Sequence, residues 1–265
     1  MFNLMKSVRY SLVRSKVYII TLLSVIGMAF LLVHGNISDP ADLKKITGEA
    51  YFSGFMGDMY IMSIIAMLIL SSVICGADAG DKTLNYELMD GHSRNSIFVS
   101  RILCNLWWSG GMVTLLMCFP FVLFSCVNGV GKSAVLRDMV LRYVLSLFPT
   151  FRLIMFFGML AIVLRGAARG AALSYACLMV TIILEVFLSF QELGDGINYL
   201  FGFQNGAFLF KYNNARSMVV EGEQMMVTDY SLYPNLVGMT CMVSLLLGAL
   251  YLCISYIVFT RSDRD

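Results

Sequence analysis

The sequence is poor in charged residues. Only 14% of its 265 residues are Asp, Glu, Lys or Arg, whereas a soluble domain carries about 25%. It also contains just two histidines, and its seven cysteines include no CxxC pair. The shortage of charge excludes a soluble enzyme, and the near balance of 19 basic and 17 acidic residues excludes a nucleic-acid binder. The cysteine pattern excludes a secreted disulfide scaffold, and we expect the cysteines to be small packing residues in helices.

Long apolar runs fill most of the chain, and 58% of the residues are hydrophobic. About 20 apolar residues cross the hydrocarbon core of a bilayer, and backbone groups in lipid must be satisfied within a helix or a closed barrel. We predict an all-α polytopic membrane protein in which residues 1–265 form a single transmembrane domain. The first span is expected to be retained rather than cleaved as a signal peptide. The six predicted spans cover about 17–36, 58–77, 102–127, 143–164, 170–190 and 235–260.

The distribution of Lys and Arg predicts the orientation of the spans. Eleven basic residues fall on the side that contains the N-terminus and six on the other side. Basic residues near span ends favour the cytoplasm, so both termini are predicted to be cytoplasmic. Residues 191–233 then form a large extracellular insertion, whose apolar stretch 197–210 is too short to span and is expected to re-enter the outer leaflet or lie on it.

The first sixteen residues precede any span and combine a positive charge with an apolar stripe. Met1, Met5, Val8 and Leu12 recur at helical spacing. This pattern predicts an amphipathic interfacial helix over residues 1–16 at the inner headgroups. The alternative is a basic anchor that only orients the first span.

The segment between the second and third spans is polar and helix-prone. Asp81 can cap a short helix, Leu84 and Leu88 share one face of it, and Gly91 can end it. A helix over residues 81–90 with an apolar ridge indicates a docking site for a cytoplasmic partner, although a plain connecting loop is the open alternative.

These features together resemble the permease subunits of type-2 ABC exporters. The resemblance covers the topology of the whole chain and, as a motif, about twenty residues after the second span. The chain looks most like bacterial phenol-soluble modulin exporters and lantibiotic immunity permeases. Lys82 separates Asp81 from Thr83, which departs from the family's pattern. The residues that match the order of the motif are Gly80, Thr83, Leu84, Glu87, Leu88, Ser93, Arg94 and Arg101.

The resemblance implies a division of labour between chains. ATP and Mg²⁺ would bind to two separate nucleotide-binding subunits, and this chain would hold no cofactor and act as a transport subunit rather than an enzyme. It would pair with a second copy or a paralogue and pass amphipathic peptides, for export or for immunity, across the lipid of a Gram-positive plasma membrane. Residues 81–90 and the turn 165–169 would be the coupling segments. The implied coupling residues are Asp81, Thr83, Leu84, Glu87, Leu88, Arg94, Arg165 and Arg169.

The chain itself offers no complete nucleotide site. The stretch 128–133 reads NGVGKS, but Cys126 stands where the first glycine of a P-loop is required. It also follows a span on the predicted outer side, so we reject a P-loop there.

Two charges fall deep inside predicted spans. Arg152 and Glu185 lie at similar depths in the fourth and fifth spans, so they can pair across neighbouring helices. They are interpreted either as a structural pair, as side chains that reach the outer interface, or as a polar patch along a transport pathway.

The sequence leaves one other function open and excludes another. A stand-alone secondary transporter or channel would fit the intramembrane charges, but no repeat relates the first three spans to the last three. An intramembrane enzyme is excluded by the absence of HExxH, GxSxG and paired catalytic carboxylates within the spans.

Overall fold

The computed structural model describes residues 2–35, 47–76, 87–130, 134–190, 214–220, 223–229 and 234–261. In these residues the chain forms seven long helices and one two-stranded antiparallel sheet. The elements are α1 (Phe2–Arg14), α2 (Lys16–Gly35), α3 (Gly48–Gly76), α4 (Arg94–Asn128), α5 (Ala134–Val163), α6 (Ala167–Phe190), β1 (Asn214–Val220), β2 (Glu223–Asp229) and α7 (Pro234–Arg261).

Five of the helices are long and apolar enough to cross a membrane. They confirm the prediction of a helical, multi-pass membrane protein. The helix α2 occupies the position of the first predicted span and is 20 residues long, and its passage through the bilayer remains a prediction. The five candidate spans are Phe55–Gly76, Arg94–Asn128, Val140–Val163, Ala167–Leu184 and Val237–Arg261.

The helix α3 begins well before the span predicted at residues 58–77. Its first turn is held by the Gly48 amide, which donates to the Gly129 carbonyl beyond the end of α4 over 3.0 Å. Tyr51 is fully buried and stacks on Phe124, with ring centroids 5.4 Å apart. The charged Asp58 marks the edge of the hydrocarbon-spanning part of α3. The helix nevertheless begins earlier in the chain, because aromatic packing stabilises the turns before Asp58.

The helix α4 also begins earlier than its predicted span. Ser93 has an extended backbone, and its hydroxyl accepts a hydrogen bond from the Ser96 amide over 3.3 Å, as an N-cap does. Arg94 and Arg101 therefore belong to α4 and not to the preceding loop, which corrects the sequence-based boundary. Pro120 lies inside α4 without ending it.

Two helices form the centre of the bundle. In an apolar stretch of 18 residues within each candidate span, 72% and 67% of the residues are buried in α3 and α5, against 28%, 17% and 22% in α4, α6 and α7. The helix α3 contacts α2, α4, α5 and α6, while α7 packs mainly against α5. The flanking helices thus leave broad apolar faces for lipid or for another membrane chain.

The helix ends gather in two groups because neighbouring helices run in opposite directions. The end of α3 meets the beginning of α6, since a Cβ on Gly76 would lie 2.6 Å from the Ala167 nitrogen. At the same end of the bundle, Arg94 donates to the Thr260 carbonyl near the end of α7 over 3.3 Å. We call this group of helix ends the Arg94 end; the beginning of α3 and the end of α4 form the opposite end.

The helix α1 turns its apolar side toward the protein. Leu4 and Leu12 are buried, and Met5 and Val8 are half-buried against clusters that include residues of α3 and α4. The apolar stripe was expected to contact the inner headgroups. Its described residues instead pack against the protein, while the basic side of the helix is exposed. Met1 lies outside the described residues.

The two strands fall within the predicted insertion 191–233. They pair antiparallel, from Asn214 opposite Asp229 to Val220 opposite Glu223. This hairpin is an addition to the all-α fold that the sequence predicted. The apolar stretch 197–210, expected to enter or cover the outer leaflet, lies outside the described residues.

Candidate functional site

The first predicted coupling segment stops at Gly91. The Gly91 amide donates to the Leu88 carbonyl over 3.1 Å, and the His92 amide donates to the Glu87 carbonyl over 3.3 Å. This pair of bonds is a Schellman motif. It requires a left-handed residue after the last helical turn, and Gly91 adopts it with a φ of 84°. The helix ends at the glycine that the sequence indicated.

The earlier part of that segment is outside the described residues. Asp81, Thr83 and Leu84 fall in the range 77–86, of which the structure describes nothing. Their assignment to a coupling helix over 81–90 therefore stays a prediction, and the structural argument rests on residues 87–91.

An ion pair ties the end of the segment to α4. Glu87 Oε2 lies 2.8 Å from Arg101 Nη2, and the two side chains are 17% and 5% exposed. Burial raises the pKa of the Glu87 carboxyl above its ordinary value. The carboxylate form therefore depends on a cation beside it, and the Arg101 guanidinium supplies that cation.

The two apolar side chains of the segment face different ways. Leu88, predicted to dock a partner, is half-buried and packs against the main hydrophobic core. Its neighbour Met89 is 82% exposed, the largest exposure among the large hydrophobic side chains in the described residues. The sequence did not point to Met89, because the apolar spacing drew attention to the face formed by Leu84 and Leu88. Of these two leucines the structure describes Leu88, and it points inward. Among the residues that the structure describes at this end, Met89 is the most exposed large apolar side chain and so the best placed to contact a partner.

Arg94 joins the beginning of α4 to the end of α7. Its guanidinium donates to the Thr260 carbonyl over 3.3 Å, where a helix C-terminus carries partial negative charge. One turn further, Phe98 contacts both Tyr256 and Phe259, each with ring centroids 5.5 Å from its own. Displacement of this part of α4 would therefore move α7 with it.

The second predicted coupling segment is the turn between α5 and α6. The Arg165 amide donates to the Ile162 carbonyl and the Gly166 amide to the Ala161 carbonyl, both over 3.3 Å. This is again a Schellman motif, but here the left-handed position is held by Arg165, with a φ of 51°. Arg165 and Arg169 are both exposed at the Arg94 end.

A polar network crosses the interior of the bundle. The Asn105 amide donates to the Ile154 carbonyl of α5 over 3.4 Å, and the Ser109 hydroxyl donates to Asn105 Oδ1 over 2.9 Å. Ser109 also bonds Ser71 of α3, with 3.3 Å between the hydroxyl oxygens. All four residues are buried. The three helices are thus joined by hydrogen bonds from polar side chains that look isolated in the sequence, and the bond to α5 is accepted by a backbone carbonyl.

Arg152 lies inside the bundle, 4% exposed. The helix α7 passes close to it, because a Cβ on Gly248 would lie 3.5 Å from the Arg152 Cα. Glu185 belongs to α6, but its side chain is outside what the structure describes. The pairing of Arg152 with Glu185 therefore remains a prediction.

These features define a class of protein without naming a family. No family model, no curated protein and no solved structure matches this chain. In the described ranges, no three His, Cys, Asp or Glu side chains come together to hold a metal ion. The five apolar helices indicate a multi-pass membrane protein. The features that bear on its function are the Arg94 end and the buried polar groups.

Proposed function

We propose that this chain is the membrane-spanning permease subunit of an ATP-driven ABC exporter. Two copies, or this chain and a paralogue, form a pathway for amphipathic peptides across a Gram-positive plasma membrane, with both termini in the cytoplasm. ATP and Mg²⁺ bind to two separate nucleotide-binding subunits. The observation that carries the proposal is a helix end that exposes Met89 while its neighbour Glu87 is tied to α4.

A push at Met89 can reach the spans through the turn at Gly91 and the ion pair of Glu87. The Schellman turn at Gly91 fixes the direction of the segment, and the 2.8 Å ion pair joins Glu87 to Arg101 in α4. Packed interiors transmit displacement because they are dense and little compressible. A nucleotide-binding subunit that moves Met89 on binding ATP would therefore move α4.

A second route for displacement runs through the opposite flank of the bundle, from α4 to α7. Arg94 connects the beginning of α4 to the end of α7 through the Thr260 carbonyl. Since α7 packs mainly on α5, a shift of α4 reaches a central helix by a second route. A ligand can drive such a shift only through its different affinity for the two states, and ATP-bound nucleotide-binding subunits would supply that difference.

The turn between α5 and α6 offers a second contact surface for a partner. Arg165 and Arg169 are exposed at the same end of the bundle as Met89, and Gly76 lies directly against residues 166–167. A partner that contacts Met89 and this turn would therefore touch both sides of the end of α3. Two contacts per permease subunit match the two coupling segments that the resemblance implies.

The interior suits a substrate with both polar and apolar faces. The buried network of Asn105, Ser109 and Ser71 and the buried Arg152 supply polar groups within helices that are otherwise apolar. Methionine side chains, of which the chain has 19, adapt to ligands of varied shape. Amphipathic peptides combine these two requirements.

The experiment reconstitutes the chain with a nucleotide-binding subunit that co-purifies with it. Proteoliposomes containing both chains are assayed for ATP hydrolysis and for movement of a fluorescent amphipathic peptide. The proposal predicts peptide movement only when both chains and ATP are present. Peptide flux driven by an ion gradient through this chain alone would overturn it.

Matched variants locate the coupling contact. Met89→Asp should lower ATP-driven peptide movement at least tenfold while leaving the amount of folded protein unchanged, because Met89 has little packing to lose. Met89→Leu keeps an apolar contact and should retain coupling. Leu88→Asp should instead reduce the yield of folded protein, since Leu88 packs against the core.

A stand-alone secondary transporter or channel is the second candidate, and the buried polar groups favour it. Charged and polar side chains inside spans often mark ion or substrate pathways. Under this candidate Arg152→Met would abolish gradient-driven flux and Met89→Asp would have no effect. The reconstitution without a nucleotide-binding subunit distinguishes the two functions.

A further inference from the structure

A cavity lies where α1 crosses α4. Its volume is about 520 Å³, within the range of roughly 300–1,000 Å³ typical of ligand pockets. The Met5 carbonyl lies 3.8 Å from the Cys104 sulfur and marks the point where the helices meet. The residues that line the cavity are Met5, Lys6, Arg9, Cys104, Trp107 and Trp108.

One wall of the cavity is cationic. Lys6 and Arg9 are three residues apart on α1, so they share a side of the helix, and both are exposed. Neither forms an ion pair within the part of the chain that the structure describes. The wall therefore presents two positive charges that nothing described on the protein neutralises.

The other wall is aromatic. Trp107 is 76% exposed, while Trp108 is half-buried and makes an edge-on contact with Tyr18, with ring centroids 5.7 Å apart. Tryptophan favours the interface between headgroups and acyl chains. A ligand that fills this cavity must therefore be anionic on the α1 side and apolar on the α4 side.

We infer that this cavity binds the headgroup of an anionic phospholipid. The phosphate lies against Lys6 and Arg9, and an acyl chain passes over the exposed face of Trp107. Basic pockets beside transmembrane helices select anionic headgroups in this way. The inference rests on the chain being a membrane protein and does not depend on the proposed exporter function.

The expected selectivity follows from the two cations. Each contributes about a fivefold preference for an anionic over a zwitterionic lipid, and the pair about 30-fold. An acidic lipid held here would also fasten α1 to α4, so its removal should loosen the N-terminal helix.

The chain provides its own optical probe. It contains two tryptophans, and both line this cavity. The full-length protein is reconstituted in nanodiscs of phosphatidylcholine that contain a small fraction of phosphatidylglycerol, with bromine on the acyl chains of one lipid or the other. Bromine quenches tryptophan fluorescence on contact, so the two series give the relative affinity of the site for each lipid.

The inference predicts a preference for brominated phosphatidylglycerol of about 30-fold in the native chain. The variant K6Q/R9Q should reduce the preference to near unity. The matched control R14Q/K16Q removes the same charge from residues outside the cavity and should keep it. Trp107→Phe leaves Trp108 as the only tryptophan and should give the same preference from a less exposed ring.

Three results would overturn the inference. Equal quenching by the two lipids would show that the cavity selects no headgroup. Equal loss of preference in K6Q/R9Q and R14Q/K16Q would show a diffuse surface potential in place of a site. Relief of the quenching by inorganic phosphate, at an ionic strength matched with chloride, would identify a site for free phosphate rather than for lipid.

Discussion

The ion pair between Glu87 and Arg101 gives the sharpest test of the coupling region. Glu87→Gln removes one charge and keeps the size of the side chain and an oxygen that can accept a hydrogen bond. Arg101 then remains, with a side chain only 5% exposed, beside a neutral partner. We expect the free energy of unfolding to fall.

The structure sets the size of that fall. Removal of one partner from a fully buried ion pair costs about 3–5 kcal/mol, because the remaining charge stays out of water. Glu87 is 17% exposed, so water can approach the site after the substitution and lower the penalty. The expected loss is therefore about 2–3 kcal/mol, near the value for a hydrogen bond to a charged group.

The assay is unfolding in mixed micelles of a mild detergent and dodecyl sulfate, followed by tryptophan fluorescence. Asp90→Asn is the matched control, because it removes one carboxylate from an exposed residue of the same turn. It should change the free energy of unfolding by no more than about 0.5 kcal/mol.

Equal effects of Glu87→Gln and Asp90→Asn on the free energy of unfolding would contradict the expected contribution of the ion pair. They would mean that the pair contributes no more than a surface charge, and the segment would then lack a firm connection to α4.

Further predictions concern the turn between α5 and α6, two glycines within helices, and the exposed Met89. Gly170→Ala should lower the free energy of unfolding by about 1–3 kcal/mol, because its Cβ would lie 2.5 Å from the Ala161 Cα, whereas Gly111→Ala, with nothing within 4 Å of its Cβ, should be neutral or stabilising. Arg165→Gly should raise the free energy of unfolding by up to about 1 kcal/mol by relieving a left-handed backbone, and Arg165→Ala should not; equal effects would contradict that cause. Met89→Asp should abolish coupling without loss of folded protein, measured by peptide-stimulated ATP hydrolysis and by the yield after size exclusion.

Hydropathy predicted where the helices lie but not where they begin. The last helix, Pro234–Arg261, lies close to the predicted span at 235–260, because a proline and an arginine bound its apolar run. The start of α3 was missed, since the buried Tyr51, Phe52 and Met56 are spaced for one helix face but interrupted by polar residues. A span ends at the edge of the hydrocarbon core, whereas a helix ends where packing and capping end.

The candidate site was predictable only in part. Gly91 marked the end of the coupling segment because few residues other than glycine favour the left-handed position. The contact between Glu87 and Arg101 could not be derived from spacing, since it forms across a reversal between two helices. Leu88 points inward because it packs against the hydrophobic core, and the spacing of residues does not reveal this. The exposed apolar side chain in the described part of the segment is therefore Met89.

The exporter function is tested by measuring peptide transport in proteoliposomes with and without the nucleotide-binding subunit. The exporter proposal predicts that this chain alone moves no peptide under an ion gradient, and that the two chains together move amphipathic peptides when ATP is present. It also predicts that Met89→Asp abolishes this movement and Met89→Leu preserves it. Gradient-driven flux through this chain alone, or full ATP-driven transport by the Met89→Asp variant, would contradict the exporter proposal.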